Sequence, residues 1–396
     1  MKNYLRFVTG LTLVMIAASV NAANVQLGII LGFTGPIESL TPQMSAGAEL
    51  AVQEASESGL FLDGSSITAI KADSTCIDSA AATAAAERLV TSDKVQGIVG
   101  ADCSGVTGAI LQQVARPNGI VMISPSATSP GLSTAEDDGL FFRTAPSDAR
   151  QGEVMTGVIM DRGIKQVAVT YTNNDYGKGL ADAFESSFRA AGGEVTISAS
   201  HEDGKADYAS EIGALASAGG EALVVAGYLD QGGLGIIQGS LDADAFSTFV
   251  LPDGMIGEAL VEAVGPDLDG SFGQHPAAEG PGSAMIVKLG EENDFNGSSP
   301  FVAESYDAAA LIILAMQAAG SSDSADYQKT VMKVANAPGE KIYPGELAKA
   351  LQVLQDGGEV DYEGASAVEL IGPGESAGNY REIEVKDGTI TTVRYR

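Results

Sequence analysis

The chain has no tryptophan, and only two cysteines and two histidines among 396 residues. That scarcity leaves little to build a metal centre from, because structural zinc sites want four nitrogen or sulfur ligands. Cys76 and Cys103 stand far in sequence from His201 and His275, and no metal is expected. Basic residues are scarce as well: 22 Lys and Arg face 52 Asp and Glu, for a formal charge of −30. A nucleic-acid partner is excluded on that ground, since phosphate binding depends on clustered Lys and Arg. The acidity speaks to solubility or to an attraction for cations, not to a fold. Hydrolytic motifs are also missing: there is no G-x-S-x-G elbow, no H-E-x-x-H helix and no Cys–His pair with a free thiol. His201, in His201-Glu202-Asp203, reads as part of a polar loop, and His275-Pro276 as part of a crossing between domains. Gly233, Gly235 and Gly239 follow a strand, and Asp253 ends the next one, which approaches the pattern of a dinucleotide-binding turn. A long loop after Gly227 and the displaced last glycine make an NAD-dependent oxidoreductase a poor fit. No cofactor and no enzymatic activity are expected.

What is present begins at the N-terminus. Lys2 and Arg6 precede an apolar stretch from Val8 to Val20, and Val20-Asn21-Ala22 offers small residues for cleavage. This is the layout of a secretory signal peptide over residues 1–22, too short for a comfortable membrane span of about 20 apolar residues. Export to the periplasm and a mature chain from about Ala23 are the expectation. In an oxidising compartment the even pair Cys76 and Cys103 reads as one disulfide. The apolar run Ala308 to Met316 reads as a buried helix.

Hydrophobic residues make up 45% of the chain, enough for real cores, and the remaining length suggests two domains. Strand, loop and helix alternate. Val25–Leu31 is a near-continuous apolar run, as in a parallel strand buried on both faces. Thr41 then caps a helix with Pro42 at its first position, stopping near Gly59. Ile67–Ala72 and Val95–Gly100 are further strands, with a helix capped by Ser79 between them. A second series follows Phe141-Phe142-Arg143: strands at Gln166–Tyr171, Glu194–Ala199, Ala222–Gly227 and Ser247–Leu251, with helices at 179–191 and 208–218. The Gly- and Pro-rich segment Gly265–Gly282 reads as a return crossing. The fold class is α/β: two doubly wound parallel-sheet lobes joined by a multi-strand hinge. Lobe 1 is expected over 23–145 plus 276–376, and lobe 2 over 146–275 plus 377–396.

In open α/β sheets the ligand sits outside the carboxyl ends of the strands, near helix N-termini. The loops at those ends are Gly32–Pro36, Gly100–Ser104 and Ser124–Thr128 in one lobe. In the other they are Asn173–Tyr176, Tyr228 and Pro252–Gly254. The first set offers hydroxyls and free backbone N–H groups; the second offers phenols and a carboxylate. Together they suit a zwitterion held at its two ends.

At these loops the chain resembles the periplasmic branched-chain amino-acid-binding proteins, which serve ATP-driven membrane transporters. The segments that carry the resemblance are Thr34-Gly35-Pro36, Cys103-Ser104, Ser124 to Pro130, Asp175 to Gly179, Gly227-Tyr228 and Pro252-Asp253-Gly254. No single one is specific; their order and spacing are. The resemblance implies a type I periplasmic-binding-protein fold and a disulfide between Cys76 and Cys103. It implies a ligand carboxylate clamped by Ser104 and Thr128, with Cys103 and Ser126 beside them. Asp253 would receive the ligand ammonium, and Tyr176 and Tyr228 would close over it. On spacing alone Ser104 and Thr128 are equally common cap residues, Asp253 a turn acid, and the tyrosines ordinary half-buried ones. Asp102 departs from the family, standing where leucine-binding members have an apolar side chain. If it lines the pocket, a polar or cationic side chain is favoured over leucine, isoleucine or valine; if it points to solvent or caps the next helix, nothing follows. The implied partners are an amino-acid-like ligand and the permease of an ABC transporter, with the protein acting as a monomer. A periplasmic sensor for a signalling system is the alternative on the same fold.

Overall fold

The computed structural model describes residues 23–396; the expected signal peptide lies outside them. The strands are β1 (Asn24–Leu31), β2 (Ser66–Asp73), β3 (Gly97–Gly100), β4 (Met122–Ser124), β5 (Phe141–Pro146), β6 (Gln166–Thr172), β7 (Glu194–His201), β8 (Ala222–Ala226), β9 (Phe249–Leu251), β10 (Phe272–Pro276), β11 (Glu340–Ile342), β12 (Val360–Tyr362), β13 (Leu370–Ile371), β14 (Glu375–Ser376), β15 (Tyr380–Lys386) and β16 (Thr389–Tyr395). They form two seven-stranded sheets, and β11 and β12 form a separate pair. The first sheet runs β2-β1-β3-β4-β5-β14-β13 and the second β7-β6-β8-β9-β10-β15-β16. The first is parallel through six strands and antiparallel only between β14 and β13; the second is parallel through five and antiparallel at β15 and β16.

Burial explains the patterning. Leu27, Ile29, Ile30 and Leu31 of β1 are all sealed from solvent, because helices cover both faces of a parallel sheet. Each sheet reverses its strand order once, between β1 and β3 and between β6 and β8. Those two switch points are where open α/β sheets leave a crevice for a ligand. The chain passes between the sheets after β5, after β10 and after β14. The helix Val302–Ala319 is long and apolar enough to cross a membrane. Here it is interior, buried from Ala308 to Met316 and packed along the helix Thr41–Ser58. The disulfide joins Cys76 to Cys103 across a Cα–Cα distance of 5.1 Å, tying the loop after β2 to the loop after β3.

Several local expectations are corrected. The stretch Gly265–Gly282 is not all crossing: it contains β10, paired with β9 and β15. Gly273 and His275-Pro276 give that short strand little intrinsic β preference, so only tertiary pairing reveals it. His201 is not in a polar loop but ends β7, 1% exposed. Asp78 rather than Ser79 caps its helix, its carboxylate accepting from Ala80 and Ala81 N–H at 3.0 Å. Thr41 lies inside its helix instead of capping it, and donates its hydroxyl to the Gly32 carbonyl at 3.1 Å.

Candidate functional site

The loops leaving β1, β3 and β4 face those leaving β6, β8 and β9, and the two sets touch. Asp230 N–H donates to the Pro36 carbonyl (2.9 Å), and Ser39 N–H donates to the Asp230 carboxylate (2.8 Å). Between them lies a cavity of ≈ 20 Å³, room for about one water. Ligand pockets run to about 300–1,000 Å³, so this arrangement of the lobes is a closed one with no room for a solute. A larger hollow of ≈ 650 Å³ lies on one lobe between the helices Ala209–Ala218 and Leu234–Asp242. It is lined by residues of that one lobe, Asp230 and Gln231 among them, and by none of the residues singled out from the sequence.

Seven of the eight residues singled out from the sequence line the interlobe cavity: Asp102, Cys103, Ser104, Ser126, Tyr176, Tyr228 and Asp253. Thr128 does not. It lies behind that wall, fully buried, with its hydroxyl beside Asp148. Ser104 opens the helix Ser104–Ile110, as expected, with Cys103 as the cap residue. Its hydroxyl already accepts from Ser129 N–H (3.1 Å), and Ser126 donates to the Asp102 carbonyl (3.1 Å). The unpaired N–H groups at that helix start remain available to an anion.

On the opposite wall Asn174 caps the helix Asp175–Ala190, accepting from Tyr176 and Gly177 N–H at 3.0 Å. This cap aims Tyr176 at the cavity. Its ring stacks on Tyr228, centroids 5.0 Å apart and planes 16° off parallel. Tyr176 donates its hydroxyl to Asp253 Oδ1 at 2.7 Å, and Gly254 N–H donates to the same oxygen at 2.8 Å. A side chain at Gly254 would collide with the Gly227 carbonyl and the Tyr176 hydroxyl, each 2.7 Å from a Cβ; glycine is what lets this turn close. Burial holds both phenols neutral, well above their usual range.

Asp253 Oδ2 has no partner among the described residues. Asp148, the first residue of the helix Asp148–Asp161, has the Thr128 hydroxyl as its neighbouring donor, without a well-formed hydrogen bond to either oxygen. Both acids are sealed from solvent. Burial raises the Asp148 pKa first and the charge of Asp253 raises it further; Asp253 is raised chiefly by burial. Of the two, Asp253 lines the cavity and Asp148 does not; the raised pKa values favour their protonated forms, and a cation brought to Asp253 would favour the charged ones. Asp148 was missed from the sequence because Ser147-Asp148 reads as an ordinary helix start. Arg143 was also missed. Almost wholly buried, it donates to the Ala127 and Ser129 carbonyls at 2.9 Å and to Glu375 at 2.5 Å, bracing the loop that carries Ser126.

Asp102 lines the cavity but is spoken for. Gly32 N–H donates to one carboxylate oxygen (2.5 Å) and the Ser74 hydroxyl to the other (2.9 Å). It latches the ends of β1 and β2 to the end of β3. The reason for disfavouring an aliphatic ligand side chain therefore lapses, and Ile37, Leu40 and Phe301 supply an apolar wall.

Residues 24–341 match the model of a family described as periplasmic binding protein. The Leu/Ile/Val-binding protein homolog 1 of Brucella melitensis biotype 1 is 30% identical over 315 residues, spanning 78% of this chain and 82% of that one. A leucine binding protein from Thermotoga maritima MSB8 superposes with a TM-score of 0.79 at 23% identity, covering 94% of this chain and 98% of its own. A solute binding protein of an ABC transporter from Rhodopseudomonas palustris HaA2, in complex with p-hydroxybenzoic acid, gives 0.77 at 16% identity, covering 94% and 97%. With two doubly wound lobes facing each other across their switch points, the chain belongs to the periplasmic binding protein family, alongside the Leu/Ile/Val-binding proteins it resembles.

Proposed function

We propose that this protein is the solute receptor of an ABC importer and that it closes on a zwitterionic amino acid with an apolar side chain. The observation that carries this reading is Asp253, which lines the cavity with one carboxylate oxygen lacking a partner among the described residues and is sealed from solvent next to the equally buried Asp148. A buried unpaired carboxylate is costly, and a ligand ammonium would relieve it while Tyr176 holds Asp253 in place. The ligand carboxylate would meet the N–H groups at Ser104. Its side chain would lie against Ile37, Leu40 and Phe301. No bond need be made or broken: only the closed form offers both sets of contacts, so the ligand shifts an open–closed equilibrium toward it. The closed surface is then what the permease would recognise.

A second reading replaces the amino acid by an aromatic acid. The stacked Tyr176 and Tyr228 favour it, and so does the p-hydroxybenzoic acid bound by the Rhodopseudomonas palustris protein. One variant separates the two. Asp253→Asn keeps an acceptor for Tyr176 but removes the charge. Calorimetric titration should show leucine or isoleucine binding weakened by about 2–5 kcal/mol, the range for breaking a buried charge pair. An aromatic acid has no ammonium to lose and would bind the variant at least as well. Unchanged amino-acid affinity in Asp253→Asn ends the zwitterion reading.

A further inference from the structure

A second cleft, of ≈ 440 Å³, opens where the chain leaves β10 and crosses toward the helix Pro281–Glu292. Its walls come from both lobes: His275, Arg381 and Tyr395 from one sheet, and Glu304 and Ala303 from the buried helix of the other. Three of these side chains have unusual surroundings. Arg381 is half-buried with an unpartnered Nε–H; Tyr395 is its hydrogen-bond neighbour, and no carboxylate among the described residues pairs with it. That is notable in a chain where acids outnumber bases 52 to 22. His275 is 2% exposed and shares Nδ1 with the Pro276 carbonyl at 2.9 Å. A carbonyl can only accept, so Nδ1 carries the proton and the orphaned Nε2 is a bare acceptor. Burial holds this ring neutral, with a pKa of about 3. Burial likewise lifts Glu304 to about 8, so near neutrality it offers an O–H rather than a negative charge. Glu279, exposed at the rim, is the other acid in the wall.

The cleft thus presents one cation, one carboxylic O–H donor and one buried lone pair. Phe301 lines this cleft and the interlobe cavity alike. It is held at φ 63°, in a left-handed conformation that a bulky residue keeps only when its surroundings enforce it. We propose that this cleft is a second ligand site, for a small carboxylate that also carries a hydroxyl or ammonium donor, and that its occupancy is felt in the interlobe cavity through Phe301. The carboxylate would pair with Arg381 and Glu304, and the donor would satisfy His275 Nε2. Because the two walls belong to different lobes, a molecule bridging them biases the hinge.

Binding in this cleft does not depend on the identity of the main ligand, and the variants tested keep the two sites separate. Glycolate and acetate are titrated calorimetrically into the mature protein at pH 7, and into Arg381→Gln and Asp253→Asn. Glycolate should bind the native protein in the millimolar range and acetate at least fivefold more weakly. Arg381→Gln should lose glycolate binding tenfold or more, and Asp253→Asn should keep it. Should Arg381→Gln fail to fold, Ser283→Phe, which fills the cleft and leaves the arginine in place, should show the same loss. The chain has no tryptophan, so Phe301→Trp adds a single indole between the two cavities, selectively excited beyond the tyrosines, and glycolate should shift its emission. Absence of glycolate binding, its survival in Arg381→Gln, its loss in Asp253→Asn, or acetate binding equally well would overturn the site. A silent Phe301→Trp would overturn the coupling.

Discussion

Glu304 lies in the first turn of the helix Val302–Ala319, 2% exposed. Burial raises its pKa from 4.5 to about 8. The unfolded chain releases this proton near 4.5 and the folded protein holds it to about 8. Between those values the unfolded state binds fewer protons, so stability falls as pH rises, at about 1.4 kcal/mol per pH unit. The contribution is complete below pH 4.5 and is lost as pH rises through 8. Integrated from pH 5 to 8, the loss is roughly 3.5 kcal/mol. Glu304→Gln keeps the shape and abolishes the titration. Its unfolding free energy minus that of the native protein should therefore climb by roughly 3.5 kcal/mol over the same interval. Asp307, on the same helix and raised to about 6 by burial, titrates in both proteins and cancels in the difference. Urea unfolding at pH 5, 6, 7 and 8, followed by circular dichroism, measures it. Two stability curves running parallel across that range would refute the reasoning, since Glu304 would then be ionised in the fold.

The disulfide spans 27 positions, and replacing both cysteines by serine should cost about 3.5 kcal/mol in the chain-entropy model, read from urea midpoints under oxidising conditions. Asp230→Ala removes the bond to Ser39 N–H that clasps the lobes; losing about 1 kcal/mol of closed-state stability should raise the ligand Kd roughly fivefold, with no change in the melting of either lobe. A ligand ammonium brought against Asp253 lowers its raised pKa and that of the neighbouring Asp148, and expels protons. Binding enthalpies of leucine measured at one pH in phosphate and in Tris should therefore differ, and identical enthalpies would argue that no cation reaches the pair.

Much of the fold is legible along the chain. Apolar runs such as Val25–Leu31 and the Ala308–Met316 segment mark buried strands and the central helix, because a parallel sheet covered on both faces tolerates few polar residues. The loops that follow the strands are readable for the same reason, and the candidate residues on them, Thr128 apart, line one cavity. Short elements with weak propensity were not readable: β10 is five residues containing a glycine, a histidine and a proline, and only its pairing with β9 and β15 makes it a strand.

Local chemistry in the sequence thus determines which residue types stand at the strand ends: hydroxyls and helix starts on one side, phenols and an acid on the other. It does not determine what each carboxylate faces. Asp102 and Asp253 are both buried acids in strand-end loops, yet Asp102 has each oxygen satisfied by Gly32 and Ser74 while Asp253 keeps one bare beside Asp148. That difference depends on partners 28 to 105 positions away. Charge and burial are properties of the assembled lobes, where distance in space, not along the chain, sets the energy.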